Sequence, residues 1–234
     1  MDDLFSSALF FPASDNSLLV QFGKSISVEA HTKVARLTNL VLANMPKGFL
    51  NVHPAYNSVL VSFDPSQIDL GSVERVIRNL AGNSLSSPRE ERVITIPTCY
   101  NSELGPDLAD VARHCRLSED EVVRTHATAD YLVYFLGFTP GFPYMGGMPT
   151  KLATPRLGTP RRQVPAGSVA IGGSQTGIYS VDSPGGWRII GQTPLRLFDA
   201  SLDPPTLLRL GDRVRFKSIS LAEFEKTRFR EQTI

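Results

Sequence analysis

Apolar and polar positions along the first third of the chain specify a small sheet backed by helices. Residues 17–22 (SLLVQF) form an apolar run behind the turn pair Asp15 and Asn16 and read as a strand. Ser27 then stands where a helix needs a cap and Glu29 falls in its first turn. Ala30, Val34, Leu37 and Val41 share one face of that helix, and Pro46 and Gly48 end it. Residues 49–52 and 58–63 read as two strands around a loop at 53–57. A second helix carries Leu70, Val73, Val76, Ile77 and Leu80 at helical spacing, with Gly82 suited to its C-terminus. The order strand–helix–strand–strand–helix predicts an α/β sandwich with its helices on one sheet face.

Residues 83–88 (NSLSSP) are small and polar and mark a boundary. Residues 92–96 alternate like a strand. Residues 107–115 read as a helix with Leu108, Val111 and Ala112 inward. Ser118 and Glu121 form a capping box that opens another short helix reaching about Ala127. From Tyr131 the pattern turns to β. Strands are expected at 131–136, 169–171, 178–181, 188–190, 195–198 and 213–216, the last launched by Gly211 and Asp212. Many short strands between glycine and proline turns predict a closed barrel with loops at its rim. The class is therefore α+β. An N-domain spans 1–84, a barrel domain 90–220 and a C-terminal tail 221–234. No internal repeat is evident.

Composition narrows the function classes. Hydrophobic residues at 41% and charged residues at 20% suit a globular protein, and 234 residues suit one or two domains. A net charge of +1 argues against nucleic acid as a partner. No apolar run reaches the roughly 20 residues of a membrane helix, and the N-terminus lacks a basic signal-type region. Two cysteines, Cys99 and Cys115, do not make a disulfide framework. The chain reads as a reduced, cytoplasmic protein.

Four strings then stand out: FLGFTPGFPY at 135–144, TPRLGTPR at 154–161, VPAGSV at 164–169 and SPGGWRIIGQTP at 183–194. Together they resemble the PxpB family, the B subunits of 5-oxoprolinase, which includes the kinase inhibitor KipI and was formerly labelled allophanate hydrolase subunit 1. SLLVQF at 17–22 and VHPAYNSVLV at 52–61 extend the resemblance into the first half, so it covers nearly the whole chain. The resemblance implies a small α/β N-domain followed by a cyclophilin-like β-barrel. It implies ATP-dependent opening of 5-oxoproline to L-glutamate. The B and C subunits would phosphorylate the lactam, and the A subunit would finish the hydrolysis. The partners it implies are thus the C subunit (KipA-like) and the A subunit (LamB/YcsF-like). ATP, with Mg, would be shared with or supplied by a partner. Two alternatives share the resemblance: inhibition of a sensor histidine kinase, as by KipI, and carboxyl transfer to a urea-like acceptor.

The residues supply candidates for this chemistry. Phosphorylating a lactam oxygen needs cations for phosphate charge and donors for a developing oxyanion. Arg156, Arg161 and Arg162 lie in one glycine- and proline-rich stretch, and the guanidinium fork suits carboxylate and phosphate. Arg156 and Arg161 are expected to hold carboxylate or phosphate. Gln175 and Tyr179 are expected to orient the lactam, and His126 to move a proton. Tyr144 and Trp187 carry polar handles on apolar bodies and complete the expected substrate site. Residues 172–177 (GGSQTG) read either as a tight hairpin or as a phosphate cradle, but the lysine of a P-loop is missing. Ser174 lacks the glycine at 176 that a G-x-S-x-G nucleophile needs. Phe138 and Phe142 bracket a bent apolar loop that is either a partner surface or a barrel plug. Asp182 and Asp199 are acids that would hold an arginine or magnesium, and no ligand spacing for zinc is present. The chain is expected to be inactive alone.

Overall fold

The computed structural model describes residues 5, 8–83 and 92–231. The chain divides into two compact units, Met1–Glu90 and Glu91–Ile234.

In the first unit, strands β1 (Leu9–Ser14), β2 (Ser17–Gln21), β3 (Phe49–Pro54) and β4 (Ser58–Phe63) form an antiparallel sheet in the order β1-β2-β4-β3. Helices α1 (Val28–Asn44) and α2 (Leu70–Asn83) complete it. The Ser27 side chain accepts from Ala30 N–H at 3.1 Å, the expected cap. Period-two alternation in β2 and β4 turns Leu18, Val20, Val59, Val61 and Phe63 toward one core. There they meet Val34, Leu37 and Val41 of α1 and Val73 and Ile77 of α2. β1 was not expected, since Pro12 lies within it; at the sheet edge the missing proline N–H costs no ladder bond.

The second unit holds β5 (Val93–Thr98), α3 (Leu108–Cys115), α4 (Glu119–Ala127), β6 (Asp130–Leu136) and β7 (Pro143–Gly146). It continues with β8 (Arg161–Val164), β9 (Ser168–Gly172), β10 (Gln175–Ile178), β11 (Ser183–Gly185), β12 (Arg188–Gln192), β13 (Arg213–Ser218) and α5 (Leu221–Glu231). Seven strands form one sheet in the order β12-β9-β10-β7-β6-β13-β5. Its two edges meet where Cys99 and Gln192 exchange main-chain hydrogen bonds of 2.9 and 3.0 Å, so the sheet closes into a barrel. Inward residues such as Ile96, Tyr131, Val133, Met145, Ile171, Ile178 and Ile190 fill its core. β8 and β11 pair separately as a two-stranded ribbon. The expected α+β class and the β-barrel are what the structure has.

Three expectations need correction. Residues 195–198 form no strand; Leu197 is buried from an irregular segment, so its apolar run reported burial rather than extension. The strand expected at 178–181 runs instead from Gln175 to Ile178, because Gln175 pairs with Gly172 across a two-residue turn. The expected tail at 221–234 carries α5, opened by a second capping box in which Ser220 N–H donates to Glu223 at 2.8 Å, with Phe224 buried. The boundary string beyond residue 83 lies outside the described residues. Among the described residues no helix is long and apolar enough to cross a membrane.

Candidate functional site

Four of the residues singled out in the sequence converge on one cavity of about 300 Å³ in the second unit: Arg156, Tyr144, Tyr179 and Trp187. Phe138 and Phe142 line it too, so the bent loop at 137–142 is part of the site. The hairpin of β6 and β7 brings Tyr144 in, and the segment after β10 brings Tyr179 in. The ring of Phe142 meets Tyr144, Tyr179 and Trp187 edge-on at centroid distances of 5.1, 5.3 and 5.5 Å. Such perpendicular contacts place positive ring edges on negative ring faces and hold the box rigid.

Glycines make room for these rings. A Cβ on Gly172 would stand 2.5 Å from the Trp187 indole, and one on Gly177 would stand 2.8 Å from Phe142. The string GGSQTG therefore works by letting aromatics approach the strands. Its turn is a tight hairpin: Gly173 N–H donates to the Thr154 carbonyl at 2.8 Å and Thr154 N–H returns the bond at 3.0 Å. The Gly173 N–H is thus committed, and no lysine follows the turn, so it lacks the donor set of a P-loop.

The guanidinium of Arg156 lies over the Trp187 ring at 5.5 Å. Among the described residues it has no carboxylate partner, so an arginine with an uncommitted fork stands at an aromatic cavity. Burial raises the Tyr179 hydroxyl above its ordinary value; the Trp187 main-chain N–H and the charges of Arg156 and Arg161 act in the opposite sense. Burial raises Tyr144 as well, against the charge of Arg156. Both phenols therefore stay protonated at neutral pH and serve as hydrogen-bond donors. Phe138 guards the mouth, 60% exposed and with φ of 68°, a left-handed backbone that a bulky residue rarely adopts.

Three predicted site residues lie elsewhere or are committed. His126 was expected to move protons, but it is fully buried on the inward face of α4. Thr176 Oγ1 donates to the Ala170 carbonyl at 3.0 Å, so it receives the His126 Nε2–H at 2.9 Å. His126 Nδ1 then accepts the Tyr100 hydroxyl at 2.8 Å. Burial lowers its pKa to about 3, so the imidazole is a neutral link in the core at neutral pH. Arg161 was expected as a catalytic residue that holds substrate carboxylate or phosphate. Its Nη2 instead donates to Asp107 Oδ1 at 2.8 Å, while Asp107 Oδ2 accepts from Ile189 N–H at 2.7 Å. Asp107 was not anticipated, because only the fold brings it 54 positions along the chain to its partner. Gln175 begins β10 at the hairpin and does not line the cavity.

The remaining candidates do not line this cavity. Arg162 is exposed on β8. Asp182 accepts from Ala166 N–H at 2.8 Å, and Asp199 holds Arg196 at 2.6 Å. Hydrogen bonds from Ser201, then from Arg196, hold Asp199 down at about 2. Among the described residues no cluster of three or more His, Cys, Asp or Glu is placed to hold a metal. Two larger clefts, of about 560 and 620 Å³, share Arg196 and Asp199, and each carries this closed pair in its wall. The smaller cavity joins a lining of four aromatic rings besides Phe138 to Arg156, which has no acidic partner among the described residues.

The chain matches the family described as Carboxyltransferase domain, subdomain C and D, over residues 8–208. Similarity extends to the 5-oxoprolinase B subunit of Bacillus subtilis (strain 168), 39% identical over 90% of this chain and 92% of that protein. The 5-oxoprolinase B subunit of Escherichia coli O157:H7 is 43% identical over 86% of this chain and 92% of its own. The chain belongs to this family. The crystal structure of TTHA0988 superposes with a TM-score of 0.79 at 38% identity over 87% of this chain. The chain spans only 40% of the length of TTHA0988, which therefore continues well beyond the shared part.

Proposed function

We propose that this chain is the B subunit of an ATP-dependent 5-oxoprolinase and that the cavity at Arg156 receives the cyclic amide acid. The observation that carries the reading is an arginine without an acidic partner, held against Trp187 at the edge of an aromatic cavity. A carboxylate on a small ring matches it: the fork takes the carboxylate and the box takes the ring. The names of relatives nearly as long as this chain support the substrate class.

The chain binds and orients in this reading; it does not carry the whole reaction. The hairpin that glycine spacing offered as a phosphate cradle has its Gly173 N–H committed and no P-loop lysine, which favours a partner as the holder of ATP and Mg. That partner is the KipA-like protein, and the LamB/YcsF-like protein finishes the hydrolysis. The exposed Phe138 at the cavity mouth favours a protein lying there, because a large exposed aromatic in a constrained backbone marks an interaction site. No observation of equal weight favours kinase inhibition or carboxyl transfer. The test combines the purified chain with its KipA-like and LamB/YcsF-like partners, 5-oxoproline and ATP, and measures L-glutamate. Glutamate should require all three proteins, and yield equal to that of the partners alone would refute the reading.

A further inference from the structure

Tyr179 brings a hydroxyl on a nearly buried residue to the cavity wall. Tyr179 is 2% exposed, and that exposure belongs to a residue lining the cavity. Its oxygen receives the influence of the Trp187 main-chain N–H and of two guanidiniums, Arg156 and Arg161. Its proton has no acceptor among the described residues. Arg161 is fixed by Asp107, and its Nη1 is buried without a hydrogen-bond partner among the described residues. Glycine at 185 is required here, since a Cβ would run into Tyr179 Oη. Gly185 pairs with Arg161 across the β8–β11 ribbon, so ribbon, arginine and hydroxyl form one assembly.

We infer that the Tyr179 hydroxyl donates to the ring carbonyl oxygen of the bound cyclic amide, while Arg156 holds its carboxylate. A buried hydroxyl in a cavity that also holds the Arg156 guanidinium, with no internal acceptor, suits an oxygen that gains negative charge. The same donor strengthens as the carbonyl oxygen is activated, because charge grows on the atom it faces. Arg161 and Gly185 are positioning residues for this donor. The inference rests on the cavity being the cyclic-amide site proposed above and adds which side chain reads the carbonyl.

The test uses two probes that differ at that carbonyl: 5-oxoproline, and cyclopentanecarboxylate, which keeps the ring size and the carboxylate but has no ring oxygen. Each is titrated against the full chain by calorimetry and by the emission of Trp187, the single tryptophan. Y179F should weaken 5-oxoproline about tenfold and cyclopentanecarboxylate less than about twofold, the scale of one hydrogen bond to an otherwise unpaired group. G185A should weaken both probes, and adding Y179F to it should restore cyclopentanecarboxylate alone. Equal weakening of both probes in Y179F, or none, overturns the donor role while leaving the cavity as the binding site. A wild-type chain that binds neither probe overturns the cavity reading as well.

Discussion

Arg156 and His126 show how far the type of a residue leaves its role open. Both are groups that catalytic sites use, and the fold gives them opposite fates. Arg156 is exposed above Trp187 with a free fork; replacing it with Met should weaken 5-oxoproline about 10- to 100-fold, the range for hydrogen bonds to a charged group. Titration followed by Trp187 emission checks this, and unchanged affinity would move the carboxylate elsewhere. His126 is a neutral core link with both ring nitrogens engaged. Its folded pKa of about 3 lies below the ordinary 6.5, so between these values the unfolded chain binds a proton that the folded chain refuses. The stability it contributes is therefore full above about pH 6.5 and declines as pH falls toward 3, by about 1.4 kcal/mol per pH unit. Urea unfolding across this window should show the slope in the wild type and a flatter one in His126→Gln. Parallel curves would mean that the imidazole takes up a proton while folded.

At the scale of elements, the site is built by close approach between strands and the rings that cross them. Gly172 lies on β9 against the Trp187 indole, so Gly172→Ala should cost about 1–3 kcal/mol by overpacking and shift the Trp187 emission. An unchanged spectrum with unchanged stability would show that the indole has room to move. The Asp107–Arg161 pair joins the start of α3 to β8, with Ile189 N–H of β12 as its third member. Removing its carboxylate in Asp107→Asn should cost about 3 kcal/mol, because the arginine is left without its buried counter-charge. Chemical denaturation measures it. None of these contacts was legible beforehand: a glycine-rich string announces that the backbone needs space, and is silent on what fills it. By contrast, both helix caps expected at Ser27 and Ser118 are present, since a cap joins groups only three residues apart. The box at Ser220 and Glu223 was equally readable and marks α5, where a tail was expected.

For the whole molecule, two units with separate cores divide the labour, and every residue of the aromatic cavity belongs to the second. A chain beginning at Glu91 is therefore expected to fold and to bind 5-oxoproline within about threefold of the full chain, an equivalence that small differences in packing do not disturb. Loss of binding in a folded fragment would show that the first unit shapes the cavity. What the sequence determined by itself was whatever depends on neighbours in the chain: the amphipathic helices, the alternating strands, the caps and the turns. It also carried the strings that mark the family, and those strings hold Arg156, Tyr144 and Trp187, with Tyr179 between two of them. Only the tertiary structure decided which of the marked residues meet. Closure of the barrel through Cys99 and Gln192, the engagement of His126 by Tyr100 and Thr176 and the commitment of Arg161 to Asp107 all join groups far apart in the chain. Burial and pairing of that kind set charge and access, and no local spacing encodes them.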